Sequence, residues 1–320
     1  MTEPAMSERL TRGNLRGVWA AIATPFDEQD RFDEAVFREN IRRLYAAGVH
    51  GIYTTDSDGE FYAIELDEFR RIVTVFAEET QLLGIPTQVG VTWSNTQGMV
   101  DRLRICAERG ILGAHVGHPF FMPMSPESYR AFWDDIQQAV PEWFGLIHYN
   151  TPRVHNYQTG PDYAKLLREV PNLIGTKHVS GNVPEFLTLQ KHSGDLSHFT
   201  GEHALVPFAF LGAKGVYSWF ANFNAPWIVE LWRQIELGNW DEARRRQERL
   251  HAFSEAIKPL HGDGNLHGII GKALTACSDF LISSNRTRKP YLPVPETTVQ
   301  LVRRTIERDF PDLVWHKGAF

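Results

Sequence analysis

Eight short runs of apolar residues alternate along the chain with longer stretches in which apolar side chains recur every three or four residues. A continuous apolar run is typical of a strand buried on both faces, and the longer spacing is typical of an amphipathic helix. The predicted strands lie within residues 17–26, 51–55, 86–91, 112–117, 144–149, 172–177, 196–200 and 214–219. The predicted helices cover residues 33–47, 66–80, 95–109, 126–139, 161–169, 183–192, 202–211 and 225–237.

Eight strand–helix units in succession predict an α/β fold, and specifically a (β/α)8 TIM barrel. An open doubly wound sheet would need edge strands with alternating polar and apolar residues, and no run shows that pattern clearly. Three further helices are predicted at residues 240–257, 265–282 and 296–308. We therefore expect a polar N-terminal extension over 1–15, a barrel over 16–238, and a C-terminal helical extension over 239–320 packed on the barrel.

Composition narrows the choice of function. A net charge of −6 and a pI near 6.1 give no basic surface for nucleic acid or for a membrane. Cys106 and Cys277 are too few and too far apart for a disulfide framework or a zinc site. Residues 1–14 lack the apolar segment of a signal peptide, and no apolar run is long enough for a membrane span. We expect a cytoplasmic protein with a small-molecule partner.

Lys177 stands at the carboxyl end of the predicted sixth strand, directly after Gly175-Thr176. Burial lowers the pKa of an ammonium group, so a lysine in this position is a candidate free amine. Such an amine can form a Schiff base with a carbonyl substrate. The alternative interpretation of this stretch alone is a lysine that reaches up to solvent.

Other polar residues also lie at or just past strand ends: the Ser57 loop, His118, Tyr149 and Ser218. In a barrel the carboxyl ends of all strands share one face, so these residues can converge although they are far apart in sequence. His115 and His118 are three residues apart on a strand and face opposite ways, so they cannot chelate one metal ion together. We expect no metal site.

Four stretches are similar to the dihydrodipicolinate synthase / N-acetylneuraminate lyase family of Schiff-base-forming lyases, over roughly residues 16 to 305. They are Ala23-Thr24-Pro25-Phe26, Ser57-Asp58-Gly59-Glu60, Tyr149-Asn150-Thr151-Pro152, and Gly175-Thr176-Lys177 with Ser180-Gly181-Asn182. The last two stretches, at their observed separation, carry most of the signal, because any one motif alone would be weak.

The resemblance implies that Lys177 attacks the ketone of a 2-oxo acid, that Tyr149 is the general acid/base, and that Ser57 relays protons to Tyr149. It implies no cofactor other than the covalent imine, and a homotetramer of barrels. The backbone N–H groups of the Ser57 loop would hold the substrate carboxylate, and Gly59 suits a tight turn with positive φ. The residues assigned to substrate binding are Thr24, Asp58, Gly59, His118, Tyr217 and Ser218.

The chain departs from the family pattern at three places. Asp58 stands where the family usually has a threonine, and an ionised carboxylate would repel a substrate carboxylate. Phe121 stands where dihydrodipicolinate synthases have a tyrosine from the neighbouring subunit, and Val154 stands at the place of an arginine, with Arg153 one residue early. These departures favour a catabolic aldolase that uses pyruvate as one partner. A dehydratase or deaminase of a 2-oxo sugar acid, and a non-catalytic 2-oxo-acid sensor, remain as alternatives.

Overall fold

A computed structural model, which describes residues 9–178, 182–262 and 267–316, shows eight parallel strands closed into a barrel in chain order. Each strand pairs with the next, and the eighth pairs with the first. The strands are β1 Gly17–Ala21, β2 Gly51–Thr54, β3 Thr87–Gly90, β4 Gly113–Val116, β5 Gly145–Asn150, β6 Leu173–His178, β7 Ser197–Thr200 and β8 Gly215–Ser218. The predicted (β/α)8 barrel is confirmed.

A helix follows each strand, and three more helices follow the barrel. They are α1 Glu34–Ala46, α2 Leu66–Leu83, α3 Thr96–Glu108, α4 Pro126–Gln138, α5 Gly160–Glu169, α6 Val183–Ser193, α7 Leu205–Phe210, α8 Ala221–Glu236, α9 Trp240–Ala256, α10 His267–Ala276 and α11 Glu296–Asp309. Within the described residues, no helix combines the length and the apolarity needed to cross a bilayer.

Local sequence signals fix several helix starts. The side chains of Asp33, Asn95 and Ser125 each accept a hydrogen bond from the backbone N–H three residues later. Each therefore satisfies one of the amide groups that an α-helix leaves unpaired in its first turn. Thr159 and Asp162 form a reciprocal capping box at the start of α5.

Element boundaries differ from the predictions in a few places. β1 ends at Ala21, well before Pro25, and α8 begins at Ala221 although Pro226 suggests a helix start near 225. The helix continues through Pro226 across a kink at Asn224. α10 ends at Ala276, which is shorter than predicted, and its predicted start at Asn265 lies outside the described residues. The same holds for residues 1–8, Ser180 and Gly181.

Two apolar layers make up the core. The barrel interior is filled by Trp19, Tyr53, Ile147, Phe199 and Tyr217 with their neighbours, and a larger layer lies between the strands and the helices. Strand side chains alternate between these layers, so the direction of each polar side chain follows from its place in the strand.

The C-terminal helices pack on one side of the barrel. α9 and α10 contact α8, and α11 contacts α9. The tail is also tied to α1, since Asn40 exchanges two hydrogen bonds with the backbone of Ile282 and Arg43 donates to the carbonyl of Phe280. The mouth of the barrel therefore lies next to α10 as well as the strand ends.

Candidate active site

Lys177 points into the barrel near the carboxyl end of β6, in register with Tyr149 on β5 and Phe199 on β7. Its Nζ atom lies 2.8 Å from Oδ2 of Asp56 and 3.2 Å from the hydroxyl of Tyr53. The same atom lies 4.4 Å from the centre of the Tyr149 ring. Only 8 % of the residue is exposed. The alternative of a lysine extended into solvent is therefore wrong.

The charge state of Lys177 differs from the expectation of a free amine. Burial lowers the pKa of Lys177, but the negative charge of Asp56, with contributions from Tyr53, Tyr149 and Asp58, raises this pKa well above its usual value. Burial by itself raises the pKa of Asp56. Lys177 and His115 lower this pKa by more than burial raises it, so the pKa of Asp56 lies below its ordinary range. The resting pair is an ammonium and a carboxylate.

Asp56 belongs to the candidate site, although the sequence alone assigned it no role. Its Oδ2 atom also lies 2.9 Å from Nδ1 of His115, and Nε2 of His115 faces the side-chain amide of Gln88 at 2.7 Å. The Tyr217 hydroxyl donates to that amide, over 2.9 Å. The sequence contained a signal for this network. Gln88 and His115 are polar residues at inward positions of β3 and β4, and the acidic residue Asp56 follows β2.

Tyr149 and Ser57 meet as predicted. Their hydroxyl oxygens lie 3.3 Å apart, within hydrogen-bonding distance, although 92 residues separate them in the chain. Burial raises the pKa of Tyr149, and the charge of Lys177 only partly offsets this effect. The phenol is therefore protonated at neutral pH and can donate a proton or a hydrogen bond.

The loop of residues 56–60 is held by close backbone packing. Thr24 donates a hydrogen bond to the carbonyl of Gly59 over 2.9 Å, so Thr24 positions the loop. A Cβ atom on Gly59 would lie 2.5 Å from the backbone nitrogen of Thr55. The prediction of a positive φ at Gly59 is wrong, because the positive values are at Thr55 and Glu60 on either side. Gly59 is needed for the close approach.

Most amide groups of this loop are engaged inside it. The N–H of Ser57 donates to Oδ1 of Asp56, that of Gly59 to the carbonyl of Asp56, and that of Glu60 to the carbonyl of Ser57. In the described part of the chain, the N–H of Asp58 has no acceptor. The N–H of Asp56 likewise has no acceptor among the described residues, so the expected anion-binding loop is reduced to the Asp56 and Asp58 amides and the Ser57 hydroxyl.

Asp58 is buried between the loop and α10. Its Oδ1 atom has no hydrogen-bond partner among the described residues, and a Cβ atom on Gly271 would lie 3.4 Å from it. The charge of Asp58 acts on Tyr53, Lys177 and Glu202. It therefore presents a buried oxygen without a hydrogen-bond donor close to the candidate reaction centre.

Of His118, Tyr217 and Ser218, only Tyr217 lies in the barrel interior beside Lys177. His118 packs between the strands and α4, against Trp133 and His148, and its Nδ1 atom lies 2.9 Å from the carbonyl of Asn156. Tyr217 lies within the barrel, with its ring centre 5.8 Å from Nζ of Lys177. The Ser218 hydroxyl accepts from the N–H of Ala221 and pairs with Glu202.

Three further polar residues join the neighbourhood of the site. Glu202, just after β7, is buried, and burial raises its pKa to about 7. Desolvation lowers the pKa of His267 at the start of α10, the charge of Asp58 opposes this effect, and the charges of Arg153 and Lys177 add to it. Arg153 also lowers the pKa of Tyr149. Arg153 carried a sequence signal, as the residue one position before the place of the family arginine, whereas Glu202 and His267 carried none beyond their places after a strand and in the tail.

No group of three or more histidine, cysteine, aspartate or glutamate side chains arranged for a metal ion occurs within residues 9–178, 182–262 and 267–316. The two cysteines are both buried and free.

Comparisons with known proteins identify the family and support the barrel fold. The 4-hydroxy-tetrahydrodipicolinate synthase of Nitratidesulfovibrio vulgaris is 27% identical over 244 residues, which cover 75% of this chain and 82% of that protein. The Escherichia coli K12 prophage protein YagE, solved in complex with pyruvate, superimposes with a TM-score of 0.84 at 18% identity, covering 92% of this chain and 98% of YagE. A monomeric dihydrodipicolinate synthase variant gives a TM-score of 0.80 at 22% identity, over 92% and 96% of the two chains. The model of the dihydrodipicolinate synthetase family matches residues 14–309, and the chain belongs to that family.

Proposed function

We propose that this lyase of the dihydrodipicolinate synthetase family acts on a 2-oxo acid through an imine on Lys177, as a catabolic aldolase with pyruvate as one partner. The observation that carries the proposal is the placement of Lys177. Its Nζ atom lies inside the barrel mouth, 4.4 Å from the Tyr149 ring, and the Tyr149 hydroxyl pairs with Ser57. A nucleophile, a proton donor and a relay are thus within one substrate's reach.

The chemistry follows from the protonated imine. It withdraws electrons from the neighbouring carbon and so stabilises a carbanion there, which permits cleavage or formation of a C–C bond. In C–C cleavage, Tyr149 removes the proton from the substrate hydroxyl that becomes a carbonyl. In C–C formation, it protonates the carbonyl oxygen that becomes a hydroxyl. Ser57 passes the proton on. The imine supplies the electron sink, so the proposal requires neither a metal ion nor an organic cofactor.

Asp58 favours a second candidate, a dehydratase or deaminase of a 2-oxo sugar acid through the same imine. Its Oδ1 atom is buried without a partner. A buried acceptor without a donor costs free energy, and a substrate with several hydroxyl groups would supply that donor. The homotetramer stays a prediction, since a monomeric variant is among the structurally similar proteins.

Reductive trapping tests the proposal. Incubation with pyruvate and borohydride should add the mass of pyruvate less water plus two hydrogens to the peptide that contains Lys177. Lys177→Arg keeps a cation beside Asp56 and should take up no label. A panel of aldol and hydroxylated 2-oxo acids then separates cleavage from loss of water by the products formed. Labelling without consumption of any panel compound would identify a sensor, and no labelling would exclude imine chemistry with pyruvate.

A further inference from the structure

We propose that Asp56 is a catalytic residue, which takes a proton from the Lys177 ammonium group and returns it to the hydroxyl that leaves as water during imine formation. The inference rests on the proposed imine function. It assigns the proton transfers of imine formation to a group other than Tyr149.

The geometry places Asp56 in direct contact with the reacting atom. Its Oδ2 lies 2.8 Å from Nζ of Lys177, across 121 residues of sequence, and only 1 % of the Asp56 side chain is exposed. The carboxylate is fixed from two other sides, because Oδ2 meets Nδ1 of His115 and Oδ1 accepts from the N–H of Ser57. Proton transfer over one such hydrogen bond needs no rearrangement of either side chain.

The other polar groups around Nζ carry no negative charge. The Tyr53 hydroxyl lies 3.2 Å away, but burial raises the pKa of Tyr53 well above its usual value, so it is a neutral phenol. Tyr149 presents its ring to Nζ, while its hydroxyl pairs with Ser57. Among the described residues, Asp56 is the only carboxylate in hydrogen-bond contact with Nζ.

The steps balance in atoms and charge. The ammonium gives one proton to Asp56, and the amine that remains attacks the ketone carbon. The new C–N bond replaces the carbonyl π bond, and a proton passes from nitrogen to oxygen to give a neutral carbinolamine. Asp56 then donates its proton to the carbinolamine hydroxyl, the C–O bond breaks, water leaves, and the nitrogen lone pair forms the protonated imine. An ammonium and a ketone have become an iminium and water, and Asp56 is again a carboxylate.

This series of proton transfers explains why the buried Lys177 keeps an ion-pair partner. Asp56 faces a cation at the start and at the end, so its charge is compensated in both states, as a buried carboxylate requires. His115 acts as a positioning residue. Burial lowers the pKa of His115, and the Nδ1 atom of its ring lies 2.9 Å from Oδ2 of Asp56.

Single-turnover trapping of pyruvate with borohydride tests the assignment in the full-length protein. Asp56→Asn keeps the size of the side chain and removes the base, so the rate of label uptake should fall about 10²–10⁴-fold. Asp56→Glu keeps a carboxylate on a longer side chain and should trap pyruvate faster than Asp56→Asn. The control is Glu79→Gln, another buried carboxylate, which pairs with Arg42 on the outer helices. It should trap at the wild-type rate, and melting temperatures report whether each variant folds.

The outcomes are distinct. Asp56→Asn labelling as fast as the wild type, or faster, would overturn the role of Asp56 and leave the imine mechanism standing. Equal rates for Asp56→Asn and Asp56→Glu would also overturn it, because the carboxylate would then not matter. Failure of the wild-type protein to label would overturn the imine mechanism and this inference with it.

Discussion

Lys272 on α10 and Glu60 in the middle of the β2–α2 connection form an ion pair in which both side chains are at most 4 % exposed. Nζ of Lys272 also donates to the carbonyl of Arg286 over 2.8 Å and lies 3.9 Å from the centre of the Phe26 ring. The pair joins the C-terminal extension to the loop that carries Asp56, Ser57 and Asp58. The tail therefore supports the candidate active site.

Lys272→Met should destabilise the protein by about 3–5 kcal/mol, because it leaves the Glu60 carboxylate buried without its counter-charge. Urea unfolding measures the loss. Glu60→Gln in the same chain should restore part of the stability, since no unpaired charge would remain. Lys258→Met removes a cation from an exposed pair with Glu255 and should cost less than about 1 kcal/mol. Equal losses for the two lysine variants would argue against a supporting role for the buried pair.

Gly59→Ala should disable the site without unfolding the barrel. The added Cβ atom would lie 2.5 Å from the backbone nitrogen of Thr55, so the loop must move and separate Ser57 from Tyr149. A misplacement of about 1 Å can cost about 10²-fold in rate, and we expect a loss of that order in turnover. The control is Gly13→Ala, where the nearest atom is Thr11 Oγ1 at 3.8 Å. Wild-type turnover by Gly59→Ala would show that the loop adjusts without consequence.

The eight-stranded barrel could be predicted because the periodicity of apolar residues is a local property of the sequence. A buried strand needs a continuous apolar run and its helix needs an apolar face, and both are visible in a short window. Because strand ends share one face of a barrel, Tyr149 and Ser57 could be expected to converge, and the family resemblance implied their pairing. Neither step required the direction of an individual side chain.

The ion pair of Asp56 with Lys177 could not be predicted in the same way. The contact depends on closure of the barrel and on how far the Asp56 side chain reaches from its place after β2. The charge state of the pair depends on the competition between burial and the Asp56 charge in setting the pKa of Lys177. His118 shows the opposite failure. His115 and His118 were expected to face opposite ways, and His115 faces inward. Strand alternation therefore predicts the outer layer for His118, whereas its position at a strand end suggests contact with the substrate.

Tyr149→Phe should lower turnover by about 10²–10⁴-fold, the usual contribution of a general acid/base. The ring remains beside Lys177, so pyruvate trapping by borohydride should continue. The control is Tyr129→Phe, which removes a hydroxyl that donates to Gln158 in the outer layer and should leave turnover unchanged. Near wild-type turnover by Tyr149→Phe would remove this phenol from the mechanism.

Acid should destabilise the protein below about pH 6.5 because of histidines buried in their neutral form. Burial lowers the pKa of His118 to about 4 and that of His198 to about 3, and it lowers the pKa of His148 well below its usual value. Between these values and about 6.5 the unfolded chain binds more protons than the folded protein, so stability falls as pH falls. At pH 5 the loss is on the order of 2 kcal/mol for each such group.

Urea midpoints at pH 7.5 and pH 5 measure this loss. His118→Gln keeps a donor for the carbonyl of Asn156 but cannot titrate, so the difference between the two pH values should shrink. His251→Gln on α9 changes an exposed histidine and should leave the difference as in the wild type. A pH difference unaffected by His118→Gln would show that His118 does not contribute to the acid sensitivity.

Asp58→Thr should improve the binding of pyruvate and impair turnover of the longer, natural substrate. An ionised aspartate cannot donate a hydrogen bond to a substrate carboxylate, and a threonine hydroxyl can. Removing the negative charge also removes repulsion at a site where Oδ1 of Asp58 has no hydrogen-bond partner among the described residues, and where the Asp56 and Asp58 amides and the Ser57 hydroxyl are left to hold the carboxylate. Pyruvate affinity is measured by borohydride trapping, and turnover is measured on the best substrate of the 2-oxo acid panel.

Asp58→Asn separates the two effects of that change. It removes the charge but keeps a side-chain oxygen as an acceptor, so pyruvate binding should improve while turnover of a hydroxylated substrate is partly preserved. If Asp58→Thr leaves both measurements unchanged, Asp58 does not act on substrate at all. If it improves both, the repulsion argument holds, but Asp58 does not recognise the distal hydroxyl groups. Pyruvate and the longer substrate should respond in opposite directions only if the Asp58 carboxylate has two effects. It must repel the carboxylate of the substrate and accept hydrogen bonds from the hydroxyl groups of the longer substrate.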